Sequence, residues 1–182
     1  MQAVIRRLEL AVAAGLLLLQ AAHATIVPAV SFEELADASE LVVAGQVTRS
    51  WTAWDAEHRY IWTHYALAVT LAQKGNPGPT VEIAEPGGAL DGRVQSIAGT
   101  VSYSPGDNVV VFLARMPNGY LRTTGWSQGK FTVDAANRIH PTASAGAEVM
   151  DARGPLKAGT TLRSLDGMTL NELKSRLTGR SR

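Results

Sequence analysis

Two long stretches of alternating residues, joined by a polar turn, constrain the fold of this chain more than any other feature. From Leu41 to Trp51, one face carries Leu41, Val43, Gly45, Val47 and Trp51, and the other carries Gln46, Thr48 and Ser50. From Tyr60 to Gln73, Ile61, Tyr65, Leu67, Val69 and Leu71 form an apolar face. Tyr60, Trp62, His64, Ala66 and Ala68 lie opposite. A period of two with β-branched residues is the strand signal. The polar run from Trp54 to Arg59 between the two stretches predicts an antiparallel hairpin. Strands this long curl and serve two regions of a barrel. Gly45, without a side chain in mid-strand, predicts a bend, a bulge or a close neighbour.

The rest of the chain continues in short strands. Lys74-Gly75-Asn76-Pro77-Gly78-Pro79 breaks the pattern, and Thr80 to Glu85 follows with Val81 and Ile83 inward. Asp91 to Val101 reads as a loop with a short strand. Ser104-Pro105-Gly106-Asp107 is a turn, since proline presets φ and glycine takes the positive-φ place. Asn108 to Arg115 is apolar on both faces and is the expected most-buried strand. Pro117-Asn118-Gly119 predicts a hairpin to Tyr120–Trp126. Phe131–Asp134 and Arg138–His140 are expected to pair, and residues 141–161 read as loop. Ser31 with Glu34, and Thr169 with Glu172, form capping boxes that start a short helix ending near Ala38 and a closing helix.

Helix–strand alternation is absent, which argues against a parallel sheet. The expectation is a mainly β fold: a small antiparallel barrel (OB-like) or a sandwich, with a short N-terminal and a C-terminal helix. The barrel is expected over 25–140. Residues 141–182 are expected to form a loop and a helix that packs on the barrel or trails it.

Ahead of the strands stands a leader. Arg6 and Arg7 precede the apolar run Leu10–Leu19, and Ala22-His23-Ala24 is a small-x-small cleavage pattern. This predicts a signal peptide over 1–24, cleavage after Ala24, and a periplasmic or secreted protein. The alternative is a leader retained as an N-terminal anchor. The run is shorter than the roughly 20 residues a membrane span needs, and no membrane span is expected after cleavage. Removing 24 residues from 182 leaves 158, one domain's worth of chain. There is no cysteine, which excludes a disulfide framework and thioether lipidation and suits a bacterial envelope protein. The leader takes Arg6, Arg7 and Glu9 with it, so the remainder is close to neutral. Nucleic acid as a partner is therefore not expected, because it requires a clustered basic surface. The basic tail of Lys174, Arg176, Arg180 and Arg182 complements the end of a helix.

Three segments carry a resemblance: Ala38–Val47, Leu67–Gly75 ending in Lys74-Gly75, and Tyr103–Leu113 with its Pro105-Gly106-Asp107 turn and the Val109–Leu113 run. Together they resemble secreted bacterial proteins of unassigned function. More distantly they resemble the netrin-like and metalloprotease-inhibitor OB-fold modules. The resemblance spans about Ala38 to Val133 and implies a barrel. The inhibitors' metal-chelating N-terminal cysteine and bracing disulfides have no counterpart here, so it does not imply their mechanism.

The candidate contact residues are Trp51, Trp54, Tyr60, Trp62 and His64, all on the hairpin, with Trp126 and Tyr120 joining if their strand lies alongside. Aromatics at an open barrel end gain contact area at low entropic cost. They suit an envelope protein, a peptide or a glycan. Asp55, Glu57, His58 and His64 are an alternative metal set, although their spacing lacks a helical His pair and a solvated loop with a surface His64 explains them better. Ser127, His140 and Asp134 are the parts of an alternative serine hydrolase, but no nucleophile-elbow motif is present. No phosphate loop and no cofactor signature occur. The functional expectation is a non-catalytic binding module, with an extracytoplasmic hydrolase, metal-dependent or serine, as the alternative.

Overall fold

A computed structural model describes residues 25–142, 147–151, 154–156 and 162–179. The leader over 1–24, Arg180, Arg182 and parts of the 141–161 segment lie outside the described residues.

The strands are β1 (Thr25–Pro28), β2 (Leu41–Trp54), β3 (Ile61–Lys74), β4 (Thr80–Pro86), β5 (Gly88–Leu90), β6 (Arg93–Gln95), β7 (Asn108–Arg115), β8 (Leu121–Thr123), β9 (Lys130–Val133), β10 (Ile139–Pro141), β11 (Ala147–Asp151) and β12 (Gly154–Leu156). Two helices, α1 (Phe32–Ala38) and α2 (Leu170–Thr178), complete the described elements with two short 3-10 turns. Both helices start where their capping boxes predict. The Ser31 and Thr169 hydroxyls accept the N–H of Glu34 and Glu172, and each glutamate reaches back.

The main sheet runs β10-β9-β7-β2-β3-β4, with β8 on the same edge of β7 as β9, and every neighbouring pair is antiparallel. The expected mainly β, antiparallel architecture is present, in its sandwich-like form. The strands do not close a barrel: β4 and β8 meet across a seam that carries no ladder.

Cores form on both faces of β2 and β7. On one face Val42, Ala44, Val110, Phe112, Phe131 and Ile139 are covered by α1, by α2 and by the turn that carries Leu165. On the other, Val43, Val47, Leu67, Ile83, Val109 and Val111 surround Tyr65 and Tyr103. Val109 to Leu113 are all fully buried, as the run without alternation requires.

Three sequence expectations change. First, residues 141–161 are not wholly loop. β11 pairs in parallel with β1, and β12 folds back on β11. Second, the strand after the Pro117 turn is short. Leu121–Thr123 gives way to the 3-10 turn Trp126–Gly129. Third, the hairpin's faces change partway along β2. The register shifts between Val42 and Val43, between Ala44 and Gly45, and between Val47 and Arg49. A bulge adds one residue and so reverses the alternation. Val47 points into the core with its cross-strand partner Leu67, whereas Trp51 lies on the opposite face with its partner His64. Gly45 is the bulge glycine, because a Cβ there would overlap the Ala68 carbonyl oxygen.

The Lys74-Gly75 pair has a structural task. Lys74 Nζ donates to the carbonyls of Ala36 and Ser39, both at 2.7 Å, and so neutralises the C-terminal end of α1. Gly75 turns the chain at φ +79°, where a Cβ would strike Leu41 and the Glu40 carbonyl.

Candidate functional site

Directly opposed residues in an antiparallel ladder share a face. In the hairpin, Trp51 opposes His64, which opposes Ala84, and Ala53 opposes Trp62, which opposes Pro86. Trp51, His64 and Trp62 are thus on one face, with the small residues Ala53, Ala84 and Pro86 around them. Trp54 opposes Ile61 and belongs to the other face.

On the first face the rings form a continuous strip. Trp51 stacks on His64 with centroids 5.3 Å apart and planes 12° apart. Tyr120, at the start of the β7–β8 return, meets His64 edge-on at 5.4 Å and Trp62 at 5.0 Å. Guanidinium groups close both ends. Arg49 lies 4.3 Å from the centre of the Trp51 ring, and Arg122 lies 6.0 Å from Trp62 and 5.1 Å from Trp126. Each cation–ring contact contributes about 0.5–1 kcal/mol at such half-exposed places. Gly125 and Trp126 both adopt left-handed backbone, φ 65° and 59°. That conformation is uncommon for a bulky residue, and here it sets Trp126 against Arg122.

His64 is the hub of the strip, and it is buried at 5% exposure rather than at the surface as the sequence suggested. Trp51 and Tyr120 cover it. Its Nδ1 is 2.8 Å from Glu82 Oε1, and its Nε2 is buried without a partner.

The remaining candidates separate. Tyr60 precedes β3, is 51% exposed and has Arg59 5.9 Å away. Trp54 stacks on His58 at 6.2 Å and donates its indole N–H to Asp91 at 2.9 Å. Asp55 closes the hairpin turn by accepting the N–H groups of Arg59 and Tyr60. Glu57 pairs with Arg59. Asp55, Glu57, His58 and His64 are therefore not gathered, and among the described residues no three metal-ligating side chains are placed to hold an ion. Ser127 and His140 are not brought together as a pair either. Both ring nitrogens of His140 are engaged by carboxylates, Asp166 at 2.8 Å and Asp134 at 3.1 Å. These hydrogen bonds, Asp134 first, raise the His140 pKa.

Behind the strip lies a buried polar group that the sequence reading missed. Glu85 is 1% exposed. It accepts the Thr123 main-chain N–H at 2.8 Å and lies 3.4 Å from Arg122. Burial raises its pKa despite those partners. Burial likewise pushes up the phenols of Tyr65 and Tyr103 beside it. Arg122 thus touches Glu85 inside the seam and Trp62 and Trp126 outside it. Arg49, Glu82 and Arg122 were not singled out in the sequence. The signal for Glu82 was its alternation with Val81 and Ile83, which puts it on the His64 face.

Among the described residues no helix is long and apolar enough to cross a membrane. No family model matches this chain, and no curated protein matches it.

Proposed function

We propose that this chain is an extracytoplasmic, non-catalytic module that binds a peptide or protein partner through the Trp51–His64–Tyr120–Trp62 strip. The observation that carries this reading is the continuous run of four rings, Trp51, His64, Tyr120 and Trp62, flanked by Arg49 at one end and by Arg122 with Trp126 at the other. Tryptophan, tyrosine and arginine dominate interface energetics: the two aromatics bring large area with few rotors to freeze, and arginine brings a planar fork of five donors. Strand backbones hold Trp51 and Trp62, so little ordering cost is left for the moment of binding. Trp51 already carries Arg49 over it and His64 stacked on it. A sugar ring needs a free aromatic face, whereas a protein surface also uses ring edges and guanidinium groups. That difference favours the peptide or protein partner over the glycan. Placement outside the cytoplasm rests on the Arg6-Arg7 leader and its Ala22-His23-Ala24 site.

The test is a displayed random-peptide library selected on the purified protein, with enriched peptides titrated against variants. Trp62→Ala is expected to weaken binding about tenfold or more, the loss of roughly 1.4 kcal/mol. Trp54→Ala, on the other face, leaves affinity unchanged. If no peptide enriches, if the two variants behave alike, or if Trp62→Ala unfolds the protein, the reading fails.

A further inference from the structure

β2 outruns its partner on one side. β7 pairs with it from Leu41 to Gln46. The turn ahead of β7 then takes Val47, whose N–H donates to the Asp107 carbonyl and whose carbonyl accepts the Gly106 N–H. Among the described residues, β2 from Arg49 to Trp54 ladders with β3 alone. The ladder shows which main-chain groups that leaves over. Asp55 donates to the Tyr60 carbonyl, and bonded pairs recur at every second residue of an antiparallel ladder. Ala53 with Trp62, Trp51 with His64 and Arg49 with Ala66 are then the bonded pairs. Ile61, opposite Trp54, gives its carbonyl to Gly87 on the β4 side, as that phase requires. The N–H and C=O groups of Ser50 and Thr52 therefore point away from β3, and no group among the described residues bonds to them. Ser50 is exposed and Thr52 half-buried. At Trp54 the tip of the β5–β6 hairpin closes in: Asp91 accepts the indole N–H, and Arg93 lies 5.7 Å from the ring.

This open stretch carries a charge. Arg49 is exposed, and its guanidinium touches the Trp51 ring without spending any of its N–H donors. Among the described residues it makes no hydrogen bond and no ion pair. The acids around it are engaged. Glu82 lies two strands away, beyond Ala66, and holds His64 at 2.8 Å. Asp107 holds Lys130 at 3.2 Å, and Asp91 holds the Trp54 indole at 2.9 Å.

We infer that an extended acidic peptide adds as a strand to the free edge of β2 between Arg49 and Ala53, bonding to Ser50 and Thr52 and setting a carboxylate on Arg49. This rests on the peptide-binding reading above and gives it a geometry, because Arg49 and Trp51 belong to both edge and strip. From Arg49 to Ala53 the edge is about 13 Å long at 3.3 Å per residue, room for about five residues. Antiparallel pairing is the more stable ladder, so the occupant's residues oppose Ala53, Thr52, Trp51, Ser50 and Arg49 in turn. Every second side chain of the occupant stands on the strip face, beside Ala53, Trp51 and Arg49. An apolar β-branched residue suits Trp51. A glutamate suits Arg49, whose planar fork matches a carboxylate. Added strands gain affinity through main-chain bonds and specificity through alternate side chains.

The probe is the capped synthetic peptide Val-Thr-Val-Thr-Glu-Thr, compared with the same sequence N-methylated at its first two threonines, the residues that oppose Thr52 and Ser50. Binding is followed by nuclear magnetic resonance with amide hydrogen exchange on the protein. The unmodified peptide is expected to slow exchange at Ser50 and Thr52 and to leave Trp51 and Ala53, already bonded to β3, unchanged. N-methylation removes two main-chain bonds and is expected to weaken binding about tenfold. Ser50→Pro removes an outward donor from an edge that tolerates proline and is expected to weaken it as well. If Ser50→Pro does not fold, the N-methyl peptide decides. Arg49→Gln is expected to weaken the glutamate peptide about fivefold and to leave a glutamine version of it unchanged. An equal effect of Arg49→Gln on both versions overturns the acidic occupant. Equal binding of the plain and N-methylated peptides overturns the added strand. No binding by either overturns it too and leaves Arg49 as a charge that guards the edge. Binding that Trp62→Ala abolishes, without protection at Ser50 and Thr52, overturns the added strand and leaves the strip standing. Protection at Ser50 and Thr52 that survives Trp62→Ala unchanged supports the added strand and overturns the strip.

Discussion

The Glu85 carboxylate accepts the main-chain N–H of Thr123 at 2.8 Å and fastens β4 to β8 where no ladder joins them. A fully buried carboxylate with one weak cationic neighbour is costly to place and costlier to leave unmatched. Glu85→Ala strands both the Thr123 N–H and the Arg122 guanidinium. It is expected to destabilise the fold by about 3 kcal/mol in urea denaturation. Glu85→Gln, which keeps an acceptor for Thr123, loses much less. Equal losses would show that the hydrogen bond is not what matters.

Glu85 also sets a slope with pH. Its pKa in the fold is raised above the ordinary glutamate value of 4.5, so the folded chain holds the proton where the unfolded chain has released it. Stability from this group is present below 4.5 and falls as pH rises through the raised value. Glu85→Gln is expected to flatten that part of the profile. An unchanged profile would mean that the carboxylate titrates alike in both states.

His140 sits between Asp134 and Asp166, and its pKa is raised above 6.5. A base with a raised pKa stabilises the fold below its unfolded value, and that contribution is lost as pH rises through the folded one. Denaturation midpoints of the wild type are expected to fall across this window, and His140→Gln removes that fall. The imidazole signals in a magnetic-resonance titration give the direction of the shift independently.

Gly45 faces the Ala68 carbonyl oxygen with no room for a Cβ. Gly45→Ala is expected to cost about 1–3 kcal/mol, the range for overpacking, and Gly92→Ala about 1–2 kcal/mol, the range for a side chain in left-handed backbone. Gly92 has nothing near its Cβ position but has φ +73°, so its cost measures backbone strain alone. Comparing their melting temperatures separates crowding from conformation.

Lys74→Met removes the ammonium that caps the Ala36 and Ser39 carbonyls while keeping the aliphatic stem. Hydrogen bonds to a charged group contribute about 1.5–3 kcal/mol when partly buried. A loss in that range is expected, with faster amide exchange in α1. No change would show that water replaces the ammonium freely.

Much of the scaffold was legible because its signals are local. Ser31 with Glu34 and Thr169 with Glu172 name their helices. The Val109–Leu113 run marks the twice-covered strand, and Gly45 marks the bulge. The β1–β11 pairing was not legible. It joins Thr25–Pro28 to Ala147–Asp151 in parallel, across most of the chain, from a segment rich in small residues that reads as loop. Of the candidate residues, Trp51, Trp62 and His64 come together in the strip, whereas Trp54 lies on the other face and Tyr60 stands exposed ahead of β3. Trp54 is three positions from Trp51, so alternation alone separates their faces. The extra residue between Val47 and Arg49 turned Trp51 outward, and no single-strand periodicity reveals such a shift. Arg49, Glu82 and Arg122 became visible only once three strands and the β8 return lay side by side.

The most direct test follows the four indole N–H signals of 15N-labelled protein while a peptide enriched by selection is added. The account predicts that Trp51 and Trp62 shift with a common saturation curve, Trp126 follows through Arg122, and Trp54 stays still. Movement of Trp54 alone, or of none of the four at saturating peptide, would contradict it.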